Sequence, residues 1–143
     1  MDDLDYLDEI ISEFIVETEE LLEQLDTDLV ALENSPNDLE LMNKIFRGVH
    51  TIKGTSGFLG FEKMTRLTHA AEDLLNRLRK GSLRVTADIM DVILETVDAL
   101  RKMLEAIKLN GQEGEVDYEK IAQKLKAMLN SQSAASELGA GSM

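Results

Sequence analysis

Leu4, Leu7, Ile11, Phe14, Thr18, Leu21, Leu25, Asp28 and Leu32 recur at intervals of three and four, a row that only an α-helix gathers onto one face. Thr18 and Asp28 interrupt its apolar character, yet the row predicts one long helix over 4–33. The same period returns in each later segment. One proline in 143 residues and 4% aromatics leave little material for a sheet, so the chain must be built from helices.

Turn chemistry divides the rest. Ser35-Pro36-Asn37-Asp38 offers a cap, a first-turn proline and an early acid, so a second helix is expected to begin there, with Leu41, Met42, Ile45, Phe46, Val49 and Ile52 as its apolar stripe. Gly57 is expected to stop it, followed by a Gly57–Gly60 turn. A third helix over 61–80 buries Phe61, Met64, Leu67, Ala71, Leu74, Leu75 and Leu78; it ends in Arg77, Arg79 and Lys80, where cations suit the helix dipole, before Gly81. A fourth opens at a Thr86 cap and runs to Asn110-Gly111. The fifth has Asp117 as cap and Ile121, Leu125, Met128 and Leu129 as its apolar face, with an expected end near 130.

Residues 131–143 carry too little apolar surface to offset the entropy of ordering and read as a flexible tail or linker. The expectation is therefore all-α: an antiparallel up-down four-helix bundle with a fifth helix against it, forming one domain over 1–130. There is no internal repeat.

Charge narrows the function. The formal net charge is −13, and residues 1–40 hold fifteen Asp or Glu with no Lys or Arg. Residues 41–61 hold Lys44, Arg47 and Lys53 and no acid at all. Such acidity argues against nucleic acid as a partner, because phosphates would be repelled by most of the surface. No cysteine is present, which excludes disulfides, thiolate metal sites and a cysteine nucleophile. No apolar run approaches the length of a spanning helix, and the acidic start lacks the basic region of a signal peptide, so a cytoplasmic protein without membrane insertion is expected.

Only His50 and His69 could titrate near neutrality. His50 lies one step round from Val49, on the flank of the second helix beside solvent, and shares its face with Arg47, Lys53 and Gly54. A side chain at 54 would lean over the turn that presents His50, and glycine leaves that turn bare. Gly48 and Gly54 each cost helix stability; close helix packing and access for a partner are both open explanations. If the second and third helices are antiparallel neighbours, Glu72 can face His50. A carboxylate accepting from Nδ1–H leaves Nε2 as the free, more basic nitrogen. Lys53 and Arg47 could place cations beside a group carried there. His50, His69 and Glu72 could alternatively ligate zinc or non-haem iron, although di-iron bundles need several inward Glu and Glu-x-x-His pairs. A flank histidine with only a surface role is the plainest alternative. No Walker A loop and no Gly-x-Ser-x-Gly elbow occurs.

Phe46-Arg47-Gly48-Val49-His50-Thr51-Ile52-Lys53-Gly54 resembles the signature of histidine phosphotransfer domains. Gly57-Phe58-Leu59-Gly60-Phe61, Thr68-His69 and Glu72 with Leu74-Leu75 are similar to the N-terminal phosphotransfer domain of CheA-type chemotaxis kinases, over about 4–108. Thr51 stands where that family often has Ser, and the hydroxyl is retained. The resemblance implies that His50 accepts a phosphoryl group, that Glu72 bonds its other nitrogen, and that Lys53 and His69 complete a polar cluster. It implies a phosphoacceptor part of a histidine kinase with no ATP-binding catalytic domain of its own. ATP and magnesium would then belong to partners: a CheA-type catalytic domain as donor and a CheY- or CheB-like receiver as acceptor. The isolated domain is expected to be monomeric and to bind no cofactor. A stand-alone or hybrid-kinase transfer protein, or a helical adaptor without transfer, are the alternative readings.

Overall fold

The computed structural model describes the backbone of residues 3–141 and the side chains of 6–130. Five helices follow in order: α1 (Asp3–Asn34), α2 (Leu39–Leu59), α3 (Glu62–Arg79), α4 (Ala87–Asn110) and α5 (Tyr118–Gly141). Among the described residues there is no strand. Helix α1 packs on α2 and α4, and α3 packs on the same two, which closes a four-membered ring. The links between α1, α2, α3 and α4 are too short to let successive helices run parallel, so the ring is an up-down bundle. Helix α5 covers the α3–α4 edge. No helix is long and apolar enough to cross a membrane.

The apolar rows meet along the bundle axis, where Leu29, Leu32, Ile45, Ile52, Met64, Leu67, Leu74 and Leu100 are fully buried. The row of α1 stays in register through its two polar members, since Thr18 and Asp28 are also buried. Asp28 lies 3.4 Å from the Lys44 ammonium of α2 and accepts from Gln24 at 3.0 Å, so its charge is partnered where it enters the interface.

Helix ends depart from expectation in three places. The cap of α2 is Asp38, whose carboxylate accepts from the Leu41 amide at 3.2 Å, and Ser35–Asn37 belong to the preceding turn. Helix α2 also runs through Gly57 to Leu59, because the left-handed residue is Gly60, at φ 81°. At Gly57 the two helices come together: an added Cβ would lie 3.6 Å from the Thr65 side chain, and the Ser56 and Thr65 hydroxyls meet at 3.0 Å. Helix α5 continues past 130 to Gly141; Ser131 to Leu138 contains no proline or glycine to stop it. Of the expected tail over 131–143 only the backbone to Gly141 is described, and its side chains lie outside the described residues.

Candidate functional site

His50 stands on the outer flank of α2, with its side chain 61% exposed. Its Nδ1 lies 3.0 Å from Oε2 of Glu72 on α3. An ionised carboxylate can only accept, so Nδ1 carries a proton, and in the neutral ring the lone pair then sits on Nε2. Lys53, one turn further along α2, sets its ammonium 3.0 Å from both oxygens of the same carboxylate. Burial alone would raise the Glu72 pKa; hydrogen bonds from His50 and Lys53, with the Lys53 charge, outweigh it and hold the carboxyl below its ordinary range. The α2–α3 packing thus brings together three of the residues singled out from the sequence.

The two α2 glycines differ in kind. A Cβ at Gly48 would meet Leu25 Cδ2 at 3.3 Å, so this glycine lets α1 and α2 approach closely. A Cβ at Gly54 would meet nothing within 4 Å. Packing therefore accounts for the first glycine only.

Arg47 is exposed and, with Lys44, Arg79, Asn43 and one acid, Glu40, lines an open hollow of about 570 Å³ on the N-terminal side of His50. On the other side Ile10, Gly54, Phe58 and Leu59, edged by Glu13 and Glu17, line a groove of about 230 Å³. Phe58 is 82% exposed there. The imidazole thus sits between a cationic hollow and an acid-rimmed apolar groove.

His69 is placed differently from the other candidates. It is exposed and opens into a depression between α3 and α5, beside Ala122, Lys126 and Leu129, with no hydrogen bond to His50, Lys53 or Glu72. Among the described residues no group of three or more His, Asp or Glu is arranged to hold a metal ion.

Two contacts at the site escaped the sequence reading. Phe46, assigned to the core stripe, is only half-buried and stacks on His50, with ring centroids 6.0 Å apart and planes 9° from parallel. Arg79, assigned to the dipole of α3, lies over the other ring of that pair, its guanidinium carbon 4.0 Å from the Phe46 centroid. The spacing of four between Phe46 and His50 was a usable signal; the arrival of Arg79 from another helix had none.

Comparison with known proteins agrees with this geometry. The sequence profile of the Hpt domain family matches residues 9–110. Sensor histidine kinase CheAY of Helicobacter pylori is 48% identical over 120 residues, which cover 80% of this chain and 15% of the relative. The chain therefore spans about a seventh of that protein. A solution structure of the histidine phosphotransfer domain of CheA superposes with a TM-score of 0.78 at 33% identity, covering 83% of this chain and 90% of that one. The phosphorylated P1 domain of CheA3 from R. sphaeroides, crystallised in complex with CheY6, superposes with a TM-score of 0.77 at 27% identity, over 84% and 94% of the two chains.

Proposed function

The chain belongs to the Hpt domain family and is a CheA-like phosphotransfer domain, and on that premise we propose that His50 is the phosphoryl acceptor, with Glu72 and Lys53 as its immediate controls. The observation that carries this is the hydrogen bond from Nδ1 to Glu72 at 3.0 Å on an otherwise exposed ring. It fixes the tautomer and leaves Nε2 as the nitrogen free to meet a donor, on a side chain that is largely exposed.

The Nε2 lone pair attacks the γ-phosphorus of ATP held by a separate CheA-type catalytic domain. The bond from phosphorus to the ADP oxygen breaks and ADP leaves with that electron pair. No proton has to leave the ring, since Nδ1–H stays on Glu72, whose negative charge balances the imidazolium character that the new N–P bond creates. In the second step a receiver carboxylate attacks phosphorus and the N–P bond returns its electrons to Nε2. Both steps depend on position and charge more than on covalent help, which suits a nucleophile held on a rigid helix pair.

Lys53 and Arg47 balance phosphoryl charge in this reading, and bare Gly54 leaves room for the partner. His69, three residues before Glu72 on α3, is a proposed member of the polar rim. The acceptor is a CheY- or CheB-like receiver; the complex of the CheA3 relative with CheY6 supports that choice. ATP and magnesium stay with the partners, and the domain works as a monomer in the cytoplasm.

The test is transfer of label from ATP through a CheA-type catalytic fragment. Wild type is expected to become labelled and His50→Gln to remain unlabelled. Label persisting on a folded His50→Gln removes His50 from the mechanism, and an unlabelled wild type favours a helical adaptor.

A further inference from the structure

Helix α3 touches the imidazole through Glu72, and a second side chain of α3, Arg79, lies over Phe46, the ring that stacks on it. Glu72, Asn76 and Arg79 follow at intervals of four and three, so they line one face of α3. Asn76 Oδ1 accepts from Arg79 Nε at 2.9 Å, which fixes the direction of the guanidinium. The guanidinium lies over Phe46, with its central carbon 4.0 Å from the ring centroid. Phe46 in turn lies parallel to the His50 ring, 6.0 Å away centre to centre. The chain of contact runs from Asn76 to Arg79 to Phe46 to His50.

Resting on the phosphoacceptor reading of His50, we propose that Arg79 is a positioning residue for phosphoryl transfer, holding the imidazole plane through Phe46. A single hydrogen bond at Nδ1 fixes one edge of the ring and still lets the ring swing about that edge, which would sweep Nε2 through an arc. A parallel aromatic face removes the swing. Phe46 is half-buried and has its own freedom to turn, and a guanidinium held over its face is attracted by the ring quadrupole and restrains it. Arginine suits this task better than lysine because its planar group stacks as well as attracts.

The full 143-residue chain is tested as wild type, Arg79→Gln, Arg79→Lys, Phe46→Leu and the Phe46→Leu/Arg79→Gln pair. Phosphoramidate serves as a small donor that needs no docking, and a CheA-type catalytic fragment with ATP serves as the protein donor. Arg79→Gln is expected to slow Nε2 phosphorylation by phosphoramidate about fivefold, the factor that a cation–π contact of moderate strength converts to. The His50 ring-proton resonances, shifted by the Phe46 ring current in wild type, are expected to move toward free-histidine positions. Arg79→Lys should recover part of both, and Arg79→Gln should add nothing once Phe46 is leucine. A folded Arg79→Gln with wild-type phosphoramidate rate and unmoved His50 resonances overturns the proposal. So does a rate loss confined to the kinase fragment, which would make Arg79 a docking residue. Labelled wild type with an unaffected Arg79→Gln sinks the Arg79 inference alone, whereas wild type unlabelled by both donors sinks the His50 reading together with it.

Discussion

Replacing Gly54 by alanine should make the domain more stable, and replacing it by leucine should make it a worse acceptor. Gly54 sits inside α2, where glycine is about 1 kcal/mol less favourable than alanine. In most packed helices that gain is offset by a clash; here an added Cβ meets nothing within 4 Å, so the full gain of about 1 kcal/mol should be realised. For a domain of this size that is an increase in Tm of about 3 °C. Gly48→Ala is the internal control, since its Cβ would press on Leu25 Cδ2 at 3.3 Å and Leu25 is buried. Overpacking of that kind costs about 1–3 kcal/mol, so Gly48→Ala should end at or below wild type.

Function should move the other way. A leucine at 54 leans toward the N-terminus of α2, over the turn that carries His50, and narrows the approach to Nε2. Labelling by a protein donor is expected to fall by about tenfold, with a smaller loss for phosphoramidate. Thermal unfolding by circular dichroism and initial labelling rates on the same samples decide the matter. A Gly54→Ala protein no more stable than wild type would contradict the open space at 54, and a Gly54→Leu protein labelled at the wild-type rate would contradict its use for access.

Four further outcomes are expected. Glu72→Gln keeps an acceptor for Nδ1–H but loses the charge, and should slow labelling by roughly ten- to a hundredfold while circular dichroism stays helical; an unchanged rate would remove Glu72 from the transfer. Because hydrogen bonds from His50 and Lys53 hold the Glu72 carboxyl below its ordinary value of 4.5, its ion cluster stabilises the fold above that pH and loses this as acid protonates it, so wild type and Glu72→Gln should converge in urea stability as pH falls progressively below 4.5. Glu113→Ala frees the Met64 and Lys63 amides, which donate to that carboxylate at 2.8 and 3.3 Å at the N-terminus of α3, and should cost about 1 kcal/mol in urea unfolding. Leu74→Ala, at a site fully buried among the bundle helices, should cost about 2–5 kcal/mol by the same assay and leave little folded protein at elevated temperature.

The helices were legible because burial in a bundle demands one apolar face per helix, and that demand is written at a period near 3.6 in every segment. What resisted reading depends on a second helix. Gly57 and Gly60 look alike as stop signals, and only the entry into α3 decides that Gly60 takes the left-handed φ. Gly48 and Gly54 look alike as costs, and only the position of Leu25 on α1 separates them. Asp28 reads as a break in an apolar row until Lys44 is placed beside it. At the site, the His50, Lys53 and Glu72 trio was legible because two spacings and one antiparallel pairing suffice to assemble it. Arg79 was not: a cation in the last turn of a helix has a local explanation, and that explanation hides the tertiary one.

The charge pattern of 41–61 follows from what a phosphoryl group would do to this neighbourhood. With the imidazole in the neutral form that transfer requires, the trio sums to zero, ionised Glu72 being matched by Lys53. A phosphoryl group brings about two negative charges and leaves one positive charge on the ring that keeps its Nδ1 proton, so the cluster passes to a net negative charge. Any acid on the same face of α2 would deepen that deficit, by about 1 kcal/mol for an exposed neighbour at ~4 Å. Segment 41–61 has no acid, and it offers Arg47 one turn before His50 and Lys44 further back along the same helix. Glu13 and Glu17 of α1 edge the groove beyond Gly54, and Glu40 is the one acid among the residues that line the hollow around Arg47, against three cations. On the proposed reading of His50, a strongly acidic chain can carry a dianion on its surface because that position lies in a stretch, 41–61, that holds three cations and no acid.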